Sequence, residues 1–81
     1  MNDNTSIFNV NELRQELILM NVNEVIRSLE KKGYNAINQL VGYLTTGDKA
    51  YITSYDNARG KISQFERSEV LMAILGAYLG R

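Results

Sequence analysis

Cysteine, histidine, tryptophan and proline are all missing from this 81-residue chain. Without cysteine there can be neither a disulfide nor a thiolate metal site. Without histidine, imidazole-based triads and histidine-ligated metals are excluded. The expectation is therefore no metal, no cofactor and no catalytic residue. An excess of charge is missing as well, since nine Lys and Arg face nine Asp and Glu. Broad, nonspecific nucleic-acid binding draws on a basic surplus and is not expected. Long apolar runs are also absent. The longest, Val70 to Leu79, covers ten residues and is interrupted by Gly76, whereas a membrane span needs about 20. Met1-Asn2-Asp3-Asn4-Thr5 has none of the basic-then-apolar pattern of a signal peptide. The expectation is a cytoplasmic protein with no membrane insertion.

A chain of this length forms one domain, and its own core is marginal. It buries only about 60 to 65% of the surface its unfolded form exposes. A partner chain is the remaining common way to bury more. Residues 1–48 carry four basic and six acidic side chains, and residues 49–81 carry five and three. That split allows weak head-to-tail complementarity between two copies.

Residues 1–9 read as a flexible arm, with three asparagines and only Ile7-Phe8 able to bury much apolar area. Residues 10–81 read as a helical dimerisation and regulatory domain. Asn9 with Glu12 has capping-box spacing. One helix then runs to Lys32, carrying two apolar sets: Leu13, Leu17 and Met20, and Ile18, Val22, Val25 and Leu29. Gly33 suits its left-handed end. Asn35 caps a second helix whose stripe is Ile37, Leu40, Val41 and Leu44. Gly42 interrupts it, which a close backbone approach would explain. Gly47-Asp48 ends it. Residues 48–53 connect, with Tyr51 and Ile52 anchored in an extended stretch. A third helix starts near Ser54, with Thr53 and Asp56 offering a cap and Tyr55, Ala58, Ile62 and Phe65 as its stripe. A fourth runs from Glu66 to Leu79, with Ser63 and Glu66 at capping-box spacing. Its apolar residues face all ways, so it serves the core on one side and a second subunit on the other. Val70, Leu71, Ile74, Leu75 and Tyr78 are the expected dimer interface. The fold class is all-α: a compact bundle of about four helices with a flexible N-terminal arm, homodimeric.

Little enzymatic chemistry is on offer. Glu12/Glu16 and Glu66/Glu69 read as solvated helix faces. Thr45-Thr46-Gly47-Asp48 has no lysine at the phosphate-loop position and reads as a helix end. Arg59 and Arg67 have two readings: surface charge with a local partner such as Glu66, or a contact site for a phosphate or an acidic partner.

Lys32-Gly33-Tyr34-Asn35-Ala36-Ile37-Asn38-Gln39-Leu40-Val41-Gly42-Tyr43-Leu44 resembles the IreB/ReoM family of small bacterial regulatory phosphoproteins. Gly47-Asp48-Lys49-Ala50-Tyr51-Ile52, Ala58-Arg59 with Ile62, and Glu66-Arg67-Ser68-Glu69 agree in order and spacing, and Thr5 stands three residues before Phe8. The resemblance implies a non-enzymatic, all-helical homodimer. It implies that Thr5 is phosphorylated by a PASTA-type Ser/Thr kinase and reset by its partner phosphatase. The implied output is control of peptidoglycan synthesis and cephalosporin tolerance, in some relatives through Clp-protease turnover of a peptidoglycan precursor enzyme. Arg59 and Arg67 become candidate receivers of the phosphate or of a partner. The chain departs from the family's usual residues at several positions. Ala36, Lys49 and Thr53 stand where proline is usual. Ser63 replaces an arginine and Ser68 an aspartate, which thins the basic patch. Helix four is more apolar than in relatives. The competing reading from the residues is a small helical DNA-binding dimer, with helices two and three as a helix-turn-helix.

Overall fold

A computed structural model of the protein describes residues 10–80. The described chain is all-helical: α1 (Val10–Lys31), α2 (Ala36–Thr46), α3 (Ala58–Ser63) and α4 (Arg67–Leu79), with short 3-10 turns at Lys49–Tyr51 and Tyr55–Asn57. The arm over residues 1–9, its phosphoacceptor Thr5 and the Asn9 cap lie outside the described residues.

α1 is the spine. One of its two apolar sets, Ile18, Val22, Val25 and Leu29, is buried under α3 and α4. The other set is exposed, with Leu13, Leu17 and Met20 at 53%, 47% and 60%, and Val10 extends it one turn further. Gly33 closes α1: its N–H donates to Glu30 O at 3.0 Å, and Tyr34 N–H donates to Leu29 O at 2.9 Å. These are the paired bonds of a Schellman turn.

Asn35 caps α2 as expected, its side chain accepting from Asn38 N–H at 3.0 Å. The buried face differs from the expected stripe. Ala36, Leu40 and Tyr43 go inside, whereas Ile37 and Val41 are exposed. The stripe is rotated by roughly one residue because α2 meets the connector along its Gln39–Tyr43 side. There the Tyr51 ring lies on Gly42, in the space a Cβ would fill, and Gln39 Nε2 donates to Tyr51 O at 2.9 Å. The connector thus holds a 3-10 turn through Tyr51, and of the pair Tyr51-Ile52 only Ile52 is extended, fully buried in the core.

The third helix is shorter than the sequence suggests. Asp56 and Asn57 adopt left-handed backbone, with φ of 53° and 57°. Such residues cannot sit inside an α-helix, so α3 begins only at Ala58. Thr53 Oγ1 accepts from Tyr55 N–H at 3.2 Å, not from Asp56. Ala58, Ile62 and Phe65 are buried as expected. Ser63 is still within α3, so it caps nothing. α4 is opened instead by Glu66, whose N–H donates to Glu69 Oε1 at 3.3 Å.

The α1–α4 packing is tied at its edge by Arg14, whose Nε donates to Glu69 Oε2 at 2.6 Å and whose guanidinium lies 5.6 Å from the centre of the Phe65 ring. The hydrogen bond from Arg14, helped by the Glu66 N–H, holds the Glu69 carboxyl below its ordinary range. A depressed folded value makes this contribution complete above the usual glutamate value of 4.5 and lost as pH falls through the folded one. Glu69→Gln is therefore expected to flatten the acid limb of a thermal-melt series between pH 5 and 3. An unchanged slope would assign that limb to other carboxylates. High salt should weaken the effect, because both groups are partly exposed.

Candidate functional site

The connector between α2 and α3 is where cationic side chains collect. It is built from small local bonds: Thr46 Oγ1 donates to Gly42 O at 2.6 Å, Asp48 N–H donates to Thr46 Oγ1 at 3.0 Å, and Ala50 N–H donates to Asp48 Oδ1 at 2.9 Å. These fold the chain over the end of α2 and turn the carbonyls of residues 44, 49 and 52 toward the two arginines. Arg59 Nε donates to Ile52 O at 2.6 Å and to Lys49 O at 3.2 Å. Arg67 Nη1 donates to Leu44 O at 3.2 Å. Its guanidinium lies against Gly47, whose backbone is left-handed (φ 77°) and whose missing Cβ would stand 3.0 Å from Arg67 Cζ. Gly47 thus serves twice, closing α2 and giving the guanidinium room.

Arg59 and Arg67 therefore grip the same loop from two sides. Neither has a carboxylate within 4 Å among the described residues, and Glu66 is not their partner. Lys61, two residues from Arg59, is spent differently: it pairs with Glu24 at 2.9 Å and Asp56 at 3.4 Å. Each arginine has one edge tethered to backbone carbonyls, which leaves further N–H groups in a fixed orientation. An open groove of about 650 Å³ runs past Arg67, lined also by Tyr43, Leu44, Gly47, Lys49 and Leu71. Tyr43 is 4% exposed, and its hydroxyl has no hydrogen-bond partner among the described residues. Chemically this surface offers positive charge and fixed donors beside apolar walls, with the Glu66 carboxylate and the Ser68 hydroxyl also on the groove.

The IreB regulatory phosphoprotein family matches residues 3–80. The chain belongs to this family. As an IreB-family protein it is a regulatory phosphoprotein by class, and the matched stretch takes in every helix, the connector and Thr5.

The remaining candidate residues divide along α4. Val70 is fully buried in the subunit's own core and Ile74 packs against it. Leu71, Leu75 and Tyr78 are exposed, at 41%, 56% and 86%. Two residues that the sequence reading did not single out are Lys49, which lines the groove and lends its carbonyl to Arg59, and Arg14, which ties α1 to α4. Lys49 carried a signal, since it sits in the Gly47–Ile52 stretch as a departure from the family. Arg14 carried none: its partner Glu69 is 55 residues away. The described residues contain no helix long and apolar enough to cross a membrane.

The helix-turn-helix reading does not match the connection. α2 and α3 are separated by residues 47–57, whereas that motif joins its helices by a turn of about three or four residues. α3, at six residues, is too short to serve as a recognition helix.

Proposed function

We propose that this protein is a non-enzymatic, kinase-controlled adaptor: Thr5 is its phosphoacceptor, and the Arg59–Arg67 surface reads the phosphate or the partner. The family match carries this reading. The kinase is of the PASTA type, opposed by a phosphatase, and the output is cytoplasmic control of peptidoglycan synthesis and cephalosporin tolerance. Clp-dependent turnover of a precursor enzyme is the route. The protein acts as a homodimer through its exposed apolar faces.

Geometry supports a role for Arg67 in particular. Thr5 is five residues from Val10, a span of at most about 17 Å. The first turns of α1 lie beside α4, because Arg14 meets Glu69, two residues from Arg67. A phosphate on Thr5 adds about −1.5 to −2 charges and strong acceptor oxygens. A guanidinium with free N–H groups can hold it through two parallel bonds. Arg59 lies further along α1, since its neighbour Lys61 pairs with Glu24.

Incubation with a PASTA-type kinase followed by mass spectrometry tests the acceptor. Label on Thr5 that vanishes in Thr5→Ala is expected; undiminished label in that variant would move the site to Ser6 or elsewhere. A pull-down comparing unphosphorylated and phosphorylated protein should recover different partners. Arg67→Ala should erase that difference, and if Arg59→Ala with Arg67→Ala leaves it intact, the arginines only hold the connector.

A further inference from the structure

A second cavity, of about 290 Å³, opens between the end of α1 and the left-handed corner at Asp56. Glu24, Arg27, Ser28 and Lys31 of α1 line it, with Tyr55 and Asp56 opposite. None of these residues belongs to the Arg59–Arg67 surface. Ser28 is 4% exposed, and its hydroxyl has no hydrogen-bond partner among the described residues. A buried hydroxyl left unpaired is costly, and native proteins seldom keep one without a ligand or an ordered water to meet it.

The charges around the cavity are unbalanced. Both carboxylates are already engaged, since Lys61 holds Glu24 at 2.9 Å and Asp56 at 3.4 Å. Arg27 and Lys31 lie one turn apart on one helix face, and neither has a carboxylate within 4 Å among the described residues. The Lys32 ammonium stands over the Tyr55 ring, 5.1 Å from its centre. The lining itself carries Arg27 and Lys31 against Glu24 and Asp56, and Lys61, bonded to both carboxylates from outside, leaves a surplus of one positive charge. The negative end of the α1 dipole cancels only about half a charge of it. A cation is disfavoured here, because the carboxylates that would hold it are taken. An apolar ligand would leave the Ser28 hydroxyl unpaired.

We propose that this cavity binds a phosphate dianion, either inorganic phosphate or a small phosphomonoester. Ser28 donates a hydrogen bond to it, the Arg27 guanidinium supplies paired donors, and Lys31 supplies counter-charge. The site shares no lining residue with the Arg67 groove, so it stands or falls independently of the function proposed above.

The test is a titration of the full chain with inorganic phosphate at constant ionic strength, followed by amide chemical shifts, with sodium chloride as control. A parallel titration with glycerol 3-phosphate separates the sources: saturation by either probe supports the site, and the tighter one names its ligand. Saturable shifts at Arg27, Ser28, Lys31 and Asp56 are expected, absent with chloride. Arg27→Gln with Lys31→Gln should weaken binding at least about tenfold, and Ser28→Ala about fivefold, the loss of one hydrogen bond. Ser28→Ala should also raise the melting temperature in phosphate-free buffer, because it removes an unpaired buried hydroxyl. Shifts that never saturate with either probe would overturn the proposal. So would a Ser28→Ala variant that melts lower without phosphate and binds it as well as the parent.

Discussion

Leu29→Ala is expected to destabilise the protein by about 2 to 5 kcal/mol, the range for emptying a fully buried leucine site. Leu29 has no exposed surface and sits in one cluster with Val25, Ile52, Ile62 and Val70, all equally buried. These residues come from α1, the connector, α3 and α4, so a cavity there loosens all four at once. A domain of this size has only about 4 to 12 kcal/mol to lose. Each kcal/mol moves the melting temperature of so small a domain by about 4 to 8 °C. The variant should therefore melt at least about 8 °C lower, or be unfolded at about 37 °C. Leu13→Ala is the control: Leu13 is 53% exposed, and its change should stay within about 0.5 kcal/mol in the isolated subunit. Denaturant melts at several protein concentrations separate the two, because any dimer makes stability concentration-dependent. A Leu29→Ala loss below about 1 kcal/mol would mean that the core is not where the structure puts it.

Leu17→Asp combined with Leu75→Asp is expected to convert the proposed homodimer into a folded monomer. The basis is apolar surface that the subunit does not cover. Val10, Leu13, Leu17 and Met20 are spaced by three, four and three residues along α1 and are all about half exposed or more. That is the spacing of a helix–helix seam. α4 adds Leu71, Leu75, Tyr78 and Leu79. Single exposed leucines are ordinary, but a stripe of this length on a small domain marks a contact surface. Light scattering should report half the parent's mass, with the helical circular dichroism retained. Val70→Asp and Ile74→Asp should behave differently, because those side chains serve the subunit's own core. They should unfold the chain rather than split it. A parent protein that is monomeric and folded at micromolar concentration would refute the seam.

Several features of the fold were legible in local sequence because their causes are local. The Asn35 cap, the Gly33 and Gly47 helix ends and the close approach at Gly42 each depend on residues within about a dozen positions. Ala58, Ile62 and Phe65 were recognisable as a buried stripe even though the helix carrying them is short. The errors also have local explanations. Thr53-Ser54-Tyr55-Asp56-Asn57 has ordinary capping residues, and nothing in its composition reveals that Asp56 and Asn57 both turn left-handed. Asn and Asp tolerate that conformation better than other residues do, but they do not require it.

The sequence by itself determined an all-helical chain with its helix ends placed within a few residues, no thiolate or imidazole chemistry, and membership of the IreB family through the long pattern from Lys32 to Leu44. Only the tertiary structure decided which of the two apolar arcs of α1 is covered, which side of α2 turns inward, and that Val70 belongs to the core while Leu75 and Tyr78 do not. It also decided that Arg59 and Arg67 hold the same loop without a carboxylate, whereas Lys61 has two. The physical reason is that helical periodicity marks an apolar arc but not the surface that meets it. That surface comes from residues far along the chain, as Glu69 does for Arg14 and Gln64 for Asn21, and their positions follow from packing the whole set together.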